Sequence, residues 1–195
     1  MKKAILFDLW NTLAKKNQSS SKILKEQFQI NCDNYLEEYE KAIQTKKWNN
    51  PYEMAESYLN YFNISNTDEN REFFVKTLLE GIKNAQPYEG TKKLLKELKK
   101  EYKIGLLSNT NNYEVLKEEW DMNNLFDTII YSWQTGTLKP EKKSFDMACQ
   151  DLEVKTEECM FIDDMEKNVK FANKYGLKGI RYIDIETLKK DIKKE

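Results

Sequence analysis

The chain begins with a short apolar run that ends in a carboxylate. Ala4–Phe7 is apolar without interruption, which is typical of a strand buried on both faces in a parallel sheet. Asp8 follows directly, and Asn11 and Thr12 then supply turn residues with amide and hydroxyl groups. Because open α/β sheets bind ligands at the carboxyl ends of their strands, Asp8 is a candidate functional residue. From these residues alone, a simple loop or cap at Asp8 is an equal alternative.

Residues 14–87, called the helical segment below, show helical rather than strand periodicity. After a polar stretch at 15–21, apolar residues recur at spacings of three and four. They fall into four groups: Ile23, Leu24 and Phe28; Leu36, Tyr39 and Ile43; Ala55, Tyr58, Leu59 and Phe62; Phe74, Leu78 and Ile82. Asn50 before Pro51 predicts a helix start, and Thr67 or Asp68 predicts another. We expect a small all-helical domain inserted after the first strand.

From Gly90 onward, helical stripes alternate with short apolar runs, which is typical of a parallel sheet with helical crossovers. The predicted strands are 103–107, 126–133, 159–162 and 179–183. The predicted helices lie around 94–102, 113–120, 145–152 and 169–175. We therefore predict a Rossmann-like three-layer α/β/α domain with a parallel sheet, made of residues 1–13 and 88–195.

Composition narrows the functional classes. The 195 residues include 32 basic and 33 acidic ones, which gives a net charge of -1. This balance provides no excess of positive charge that would favour binding to nucleic acid or to an anionic membrane. No stretch approaches the roughly 20 apolar residues that span a bilayer, and Asp8 ends the first apolar run too early for a signal peptide. Cys32, Cys149 and Cys159 lack paired or metal-ligand spacing, which predicts reduced thiols in a cytoplasmic protein.

The chain contains no histidine. Ser-His triads, proton transfer by histidine and histidine metal sites are therefore excluded. The chemistry left to this protein is that of carboxylates, amines and hydroxyls.

Polar residues recur where the predicted strands end. Asp8, Ser108-Asn109 and Asp163-Asp164 each follow an apolar run, and Lys139 lies in a loop before Pro140. Right-handed crossovers bring the carboxyl ends of parallel strands to one edge of the sheet. We therefore expect these side chains to converge.

The order of these residues resembles that of the haloacid dehalogenase-like (HAD) hydrolase superfamily. Asp8, followed by Thr12-Leu13, resembles motif I, in which this Asp is the nucleophile. Residues 106–109 (Leu-Leu-Ser-Asn) resemble motif II, and Lys139-Pro140 resembles motif III. Residues 161–164 (Phe-Ile-Asp-Asp), with Asn168 beyond them, resemble motif IV. An insert after motif I resembles the helical cap that closes over the active site and selects the substrate in many members.

The resemblance implies a role for each catalytic residue. Asp8 would attack the substrate, the Ser108 hydroxyl would hold a phosphoryl oxygen, and Lys139 would steady the nucleophile and the substrate charge. Thr12 and Asn109 would contribute to the substrate site.

Charge balance and resemblance together predict a Mg²⁺ site. Asp8, Asp163 and Asp164 would place three negative charges beside Lys139, and one divalent cation would balance the formal charge of about -2 that remains. All candidate ligands are oxygens, which favours Mg²⁺. The resemblance implies that Asp8, Asp164 and the Trp10 carbonyl are direct ligands, that Asp163 acts in the outer shell, and that Asn168 supports motif IV.

The sequence departs from the family pattern at Trp10. Phosphatases of the family carry a second Asp there, which protonates the leaving group and then activates water. Indole cannot do this, and loss of a general acid removes about 10²- to 10⁴-fold in rate. We still favour a Mg²⁺-dependent phosphatase acting on a small phosphorylated molecule through an aspartyl-phosphate at Asp8. The proton would come from water, from the substrate or from the insert, where Lys46 and Lys47 are candidates and Trp10 would face the substrate.

Three alternatives remain open. A 2-haloacid dehalogenase-type hydrolase is favoured by the aromatic residue at Trp10. Against it, those enzymes use no metal and carry neutral residues at motif IV. They also need an arginine in the insert, and the insert of this chain contains only Arg71. A weakly active or non-catalytic phosphate-binding module would also fit Trp10. Phosphonate cleavage would require an insert lysine that the sequence does not single out. The substrate's identity and the oligomeric state are not predicted.

Overall fold

The computed structural model describes residues 2–194. Its strands fall into one larger sheet and one short pair. In chain order they are β1 (Ala4–Phe7), β2 (Ala14–Lys15), β3 (Gln86–Pro87), β4 (Lys103–Ser108), β5 (Thr128–Tyr131), β6 (Cys159–Asp163) and β7 (Lys178–Arg181).

The helices occupy the intervals between these strands. In chain order they are α1 (Ser20–Gln27), α2 (Tyr35–Ile43), α3 (Pro51–Tyr61), α4 (Asp68–Lys83), α5 (Thr91–Leu98), α6 (Ser132–Thr135), α7 (Lys142–Asp151), α8 (Glu166–Lys174) and α9 (Ile185–Ile192).

The larger sheet has the strand order β5-β4-β1-β6-β7, and every neighbouring pair is parallel. The central strand is β1, with Phe7 in register with Leu106 of β4 and with Ile162 of β6. The carboxyl ends of β4 and β6 therefore flank the residue that follows β1, which is Asp8. This topology confirms the predicted Rossmann-like α/β fold.

The sheet is covered on both faces, which explains why β1 carries no polar residue. Ile5 and Phe7 belong to an apolar cluster on one face, and Ala4 and Leu6 belong to a second cluster on the other. Successive side chains of a strand point to opposite faces, so a strand between two helical layers must be apolar throughout.

Helices α1 to α4 surround an apolar cluster of their own. Its centre is Tyr58, which is fully buried and shares a hydrogen bond of 2.8 Å with the Tyr35 hydroxyl. The predicted helix starts are confirmed, because the side chains of Asn50 and Thr67 accept hydrogen bonds from the first turns of α3 and α4. The helical segment thus buries its apolar faces internally.

Strands β2 and β3 join the two ends of the helical segment. They pair antiparallel, with Ala14 opposite Pro87 and Lys15 opposite Gln86. The chain therefore leaves and re-enters the sheet at one place. We propose that this pairing marks the boundary between an inserted helical domain, 14–87, and the α/β domain.

Two predicted elements are wrong in type or extent. Residues 113–120 form turns and a short 3-10 helix, Glu118–Trp120, rather than an α-helix. Asn111 Oδ1 accepts from Tyr113 N and the Thr110 hydroxyl donates to Glu114 O, so side chains satisfy backbone groups that a helix would pair. The predicted strand 126–133 shortens to β5 because α6 begins at Ser132.

The sequence analysis also missed α9 and the β2–β3 pair. Asp184 caps α9 by accepting a hydrogen bond of 2.7 Å from Thr187 N. Within residues 2–194, no helix is both long and apolar enough to cross a membrane. The three cysteines are free thiols, and Cys149 and Cys159 are buried.

The contact between β7 and α8 leaves no space for a side chain at Gly179. A Cβ there would lie 2.6 Å from the Val169 carbonyl oxygen and 2.9 Å from Asn173 Nδ2. Because the obstacle is helix backbone, we expect Gly179→Ala to lower the free energy of unfolding by about 1–3 kcal/mol. Urea unfolding measures this, with Lys170→Ala on the exposed face of α8 as the control. Equal stability of the two variants would contradict the close approach.

Candidate active site

A buried lysine joins two of the carboxylates that the sequence analysis singled out. Lys139 Nζ donates to Asp8 Oδ1 at 2.5 Å and to Asp163 Oδ2 at 2.8 Å. The three side chains are nearly inaccessible, with exposures of 2% for Lys139, 9% for Asp8 and 1% for Asp163. They meet because the loop carrying Lys139 crosses the carboxyl ends of the adjacent strands β1 and β6.

Burial and neighbouring charges shift the pKa values of this cluster. Burial raises the pKa of Asp8 to about 7; the Lys139 charge opposes this rise, and the Asp163 charge adds to it. Burial lowers the pKa of Lys139, but the charges of Asp163 and Asp8 outweigh burial and hold that pKa above its ordinary value. Lys139 therefore stays protonated, while burial keeps the pKa of Asp8 above its ordinary value despite this neighbouring charge.

Both carboxylate oxygens of Asp163 accept hydrogen bonds from protein donors. Its Oδ1 accepts from Met165 N at 2.8 Å, and its Oδ2 accepts from Asn168 Nδ2 at 2.9 Å in addition to Lys139. Asn168 is itself buried at the start of α8. Asp163 thus anchors the loop between β6 and α8 and holds the lysine.

Asp164 lies beside this cluster and lines the same cavity as Asp8. Burial and then the charge of Asp163 raise the pKa of Asp164 above its ordinary value. In the described part of the chain, no group of three or more Asp, Glu, Cys and His side chains is arranged to hold a metal ion. The oxygens of Asp163 are engaged by protein donors, which leaves Asp8, Asp164 and, from the helical segment, Glu40 as the other carboxylates that line the cavity.

The donor set that remains still suits Mg²⁺. Asp8, Asp164 and the Trp10 carbonyl offer oxygen atoms only. Mg²⁺ keeps several waters and commonly takes one or two carboxylates plus substrate phosphate, rather than a cage of protein ligands. The pKa values of the buried Asp8 and the half-buried Asp164 are both raised, and within residues 2–194 Lys139 is the cation that opposes this rise at both. A divalent cation would supply it.

The cavity above Asp8 has a volume of about 290 Å³ and lies between the strand ends and the helical segment. From the sheet side it is lined by Asp8, Trp10, Asn11, Asn109, Lys139, Asp163, Asp164, Met165 and Asn168. From the helical segment it is lined by Lys16, Gln18, Ser19, Ser20, Ser21, Leu36, Tyr39, Glu40 and Gln44. Most of these lining residues carry polar or charged side chains, so the cavity suits a small ligand with polar groups.

Asn109 connects the sheet to the helical segment. Its Nδ2 donates to Glu40 Oε2 at 2.9 Å and to the Lys139 carbonyl at 3.0 Å, and its Oδ1 accepts from Lys139 N at 2.7 Å. The predicted substrate-site residue Asn109 thus lies at the cavity, where it orients both the Lys139 loop and Glu40.

Sequence reasoning missed Glu40, although a signal was present. Glu40 follows Tyr39 and lies three residues before Ile43, so it borders the inward, apolar face of α2. A carboxylate on an apolar stripe is unusual enough to mark a candidate site. Lys16 and Gln44 of the cavity were likewise not predicted.

Trp10 is held by the sheet domain. Its Nε1 donates to the Glu114 carbonyl at 3.2 Å, and its ring packs edge-on against Trp120 with centroids 6.2 Å apart. Lys16 Nζ lies 4.6 Å from the centroid of the Trp10 ring and pairs with the buried carboxylate of Glu114. Trp10 therefore lines the cavity as an anchored wall.

Ser108 and Thr12 are buried behind the cavity lining. Their hydroxyl oxygens are inaccessible, and within residues 2–194 neither has a hydrogen-bond partner. Buried polar atoms without partners are uncommon and are associated with functional sites. Ser108 ends β4 directly beside β1, so an oxygen of a bound ligand near Asp8 would be a natural partner for its hydroxyl.

Lys46, Lys47 and Arg71 are not among the residues that line the cavity. Lys46 and Lys47 are exposed, and Lys46 Nζ lies 4.2 Å from the centroid of the Trp48 ring. Arg71 is occupied on α4 by Asp68 and Asn66. The lysines of the cavity are Lys16 and Lys139.

The chain matches a known family. Residues 5–182 match the family model described as haloacid dehalogenase-like hydrolase. Because the match spans nearly the whole chain, the protein belongs to the HAD-like hydrolase family and is a hydrolase, as the motif order predicted.

Solved structures agree on the fold. A HAD-like family hydrolase from Porphyromonas gingivalis is 22% identical, with a TM-score of 0.72 over 100% of both chains. A HAD family enzyme from Bacteroides thetaiotaomicron, crystallised with magnesium and inorganic phosphate, is 22% identical with a TM-score of 0.64, covering 96% of this chain and 99% of that one. A 2-haloacid dehalogenase from Pseudomonas syringae is 15% identical with a TM-score of 0.63, covering 93% and 86%.

Among curated proteins, D-ribitol-5-phosphate phosphatase from Bacteroides thetaiotaomicron is 32% identical over 87 residues. The alignment covers 40% of this chain and 42% of the relative. The chain thus matches less than half the length of this relative.

Lys139 supplies the buried positive charge between Asp8 and Asp163, so its removal tests the electrostatics of the site. We expect Lys139→Met to lower the free energy of unfolding at pH 8 by about 3–5 kcal/mol, because two buried carboxylates lose their partner. The loss should shrink at pH 5, where protonation of Asp8, whose pKa is already about 7, removes part of the unpaired charge.

Urea unfolding at both pH values measures this effect. Lys142→Met, which removes an exposed pair with Asp146, is the matched control and should have little effect. A similar loss in both variants, or a loss independent of pH, would contradict the proposed charge balance.

Proposed function

We propose that the protein is a Mg²⁺-dependent phosphatase that acts on a small phosphorylated molecule through Asp8. The observation that carries this proposal is the Asp8 carboxylate held by Lys139 on the floor of a polar cavity that Asp164 also lines. The named phosphatase relative, and the structural neighbour crystallised with magnesium and phosphate, support it.

The first chemical step would be in-line attack by an Asp8 oxygen on phosphorus. A bond from Asp8 to phosphorus forms while the bond to the leaving oxygen breaks, giving an aspartyl-phosphate. Lys139 offers a positive charge to the phosphoryl oxygens, and the buried Ser108 hydroxyl, which has no hydrogen-bond partner within residues 2–194, would donate to a phosphoryl oxygen that displaced the lining above it. Preorganised donors of this kind stabilise charge that develops in the transition state.

Asp8, Asp164 and the Trp10 carbonyl would hold Mg²⁺, with Asp163 and Asn168 supporting from behind. The metal would neutralise charge on the phosphoryl oxygens. Because the metal would take up charge on the phosphoryl oxygens, the Lys139 ammonium group would serve to keep Asp8 ionised and to orient its carboxylate.

The helical segment would act as the cap over the reacting centre. Residues from its polar stretch and from α2 form the wall of the cavity opposite Asp8. We propose that Asn109, Trp10, Tyr39 and Gln44 contact the substrate there, and that Thr12 supports the loop after β1. Lys46 and Lys47 would not contact the substrate unless the segment moved, since both lie outside the cavity lining.

The dehalogenase alternative has one supporting observation, an aromatic ring at Trp10 facing the cavity. Against it, Asp163 and Asp164 stand beside the nucleophile and would repel both a carboxylate substrate and a halide. The described cavity lining also includes no arginine. A phosphate-binding module without turnover would share the site but release no product.

Hydrolysis of p-nitrophenyl phosphate tests the proposal directly. Its nitrophenolate leaves without help from an acid, so the assay does not depend on the residue at Trp10. We expect turnover with Mg²⁺, loss of turnover with EDTA, and loss in Asp8→Asn purified in parallel.

Activity that persists in Asp8→Asn would overturn the assignment of the nucleophile. Halide release from 2-chloropropionate in EDTA would favour the dehalogenase, and phosphate-induced thermal stabilisation without turnover would favour the binding module.

Magnesium binding can be tested without turnover. In EDTA at pH 8, Asp164→Asn should melt no lower than the wild type, because it removes a partly buried carboxylate whose pKa is raised. Added Mg²⁺ should raise the melting temperature of the wild type and not that of the variant. Asp146→Asn on the exposed face of α7 is the control and should respond to Mg²⁺ as the wild type does. An equal response of Asp164→Asn would show that the ion binds elsewhere.

A further inference from the structure

Helix α2 brings one carboxyl group into the cavity that the mechanism above does not use. We propose that Glu40 is the general acid that protonates the leaving oxygen, in place of the Asp that the family's phosphatases carry at the Trp10 position. The inference rests on the proposed phosphatase function and deepens it. Under this proposal the helical segment supplies the acid for the reaction in addition to covering the active site.

In-line attack determines where the acid must lie. When Asp8 approaches phosphorus from the strand ends, the leaving oxygen departs on the opposite side. The opposite wall of the cavity is built by the helical segment. Of the cavity-lining carboxylates, Asp8, Asp163 and Asp164 come from the sheet side, whereas Glu40 comes from the helical segment.

Other proton donors on that wall fit the task less well. The Tyr39 hydroxyl is buried, and burial followed by the charge of Glu114 holds its pKa well above the ordinary value. Lys16 is engaged with the buried carboxylate of Glu114. Serine hydroxyls are too weakly acidic to protonate an alkoxide near neutral pH at a useful rate.

The surroundings of Glu40 suit a carboxylic acid that works near neutral pH. Burial raises its pKa to about 7, and the hydrogen bond from Asn109 and the charge of Lys139 only partly oppose this rise. The charges of Asp163 and Glu37 raise it further. A general acid is most effective when its pKa lies near the working pH.

Asn109 serves as the positioning residue for Glu40. It donates to Glu40 Oε2 at 2.9 Å while its own amide is fixed by the backbone of Lys139. The acid and the loop that holds the nucleophile are therefore connected through one side chain. The other carboxylate oxygen of Glu40 remains able to carry the proton.

Glu40 loses one proton in the first half-reaction and regains one in the second. In the first, the leaving oxygen takes the proton of Glu40 as its bond to phosphorus breaks, and Glu40 becomes a carboxylate. In the second, Glu40 takes a proton from the water that attacks phosphorus, the bond to Asp8 breaks, and inorganic phosphate leaves. Glu40 returns to its acid form, and no further reactant is needed.

A series of leaving groups tests the proposal. We would measure kcat/KM of the wild type and of Glu40→Gln with Mg²⁺ on p-nitrophenyl phosphate, phenyl phosphate and glycerol phosphate. Loss of a general acid costs about 10²- to 10⁴-fold when the leaving group needs a proton. We expect a loss of that size with glycerol phosphate, a much smaller one with p-nitrophenyl phosphate, and a steeper dependence on leaving-group pKa across the series.

Controls separate a chemical role from a structural one. Glu38→Gln changes the same helix at a carboxylate paired with Lys41 outside the cavity lining, so its leaving-group dependence should match the wild type. Glu40→Asp keeps an acid and should recover part of the activity on glycerol phosphate. Glu40→Gln should melt no lower than the wild type at pH 8, because it removes a carboxylate whose pKa is raised.

The outcomes distinguish this inference from the function on which it rests. No Asp8-dependent hydrolysis of p-nitrophenyl phosphate by the wild type would overturn the phosphatase proposal and the role of Glu40 together. Such hydrolysis with equal losses for all three substrates in Glu40→Gln, or with no loss, would overturn the role of Glu40 alone.

Discussion

The buried contact of Lys139 with Asp8 and Asp163 is the interaction on which the site depends. Carboxylates at the ends of adjacent strands would repel each other in a space that excludes water. One ammonium group between them makes their burial tolerable, and it also ties the Lys139 loop to β1 and β6. Burial still holds the pKa of Asp8 above its ordinary value although the Lys139 charge opposes this rise, so the site retains an affinity for further positive charge.

The cavity lies between two separately packed parts of the chain, whose contacts include the one at Asn109. The helical segment has its own apolar cluster and the sheet has one on each face. The hydrogen bond from Asn109 to Glu40 spans the gap between them. Both walls are needed to form this cavity, and under the proposed role of Glu40 the position of α2 would matter for the chemical step as well as for substrate choice.

Trp10 stands where phosphatases of the family carry an Asp, and this difference changes what the position can contribute. Its indole is tied to the Glu114 carbonyl and packs against Trp120, so it extends the apolar cluster of the sheet domain toward the cavity. Such a wall excludes water but offers no exchangeable proton of useful acidity. In the proposed phosphatase reaction, the proton for the leaving group would therefore come from water, from the substrate or from another element, of which α2 with Glu40 is the one we propose.

The sequence by itself determined the α/β sheet, the helical segment and the strand-end residues Asp8, Asp163 and Asp164. These follow from local rules, because a strand covered on both faces must be apolar and a polar residue at its end must be exposed to a crevice. Only the tertiary structure decided the turns at 113–120, where side chains replace helical hydrogen bonds. It also decided the place of Glu40, since its contact with Asn109 joins residues 69 positions apart and no local pattern encodes that pairing.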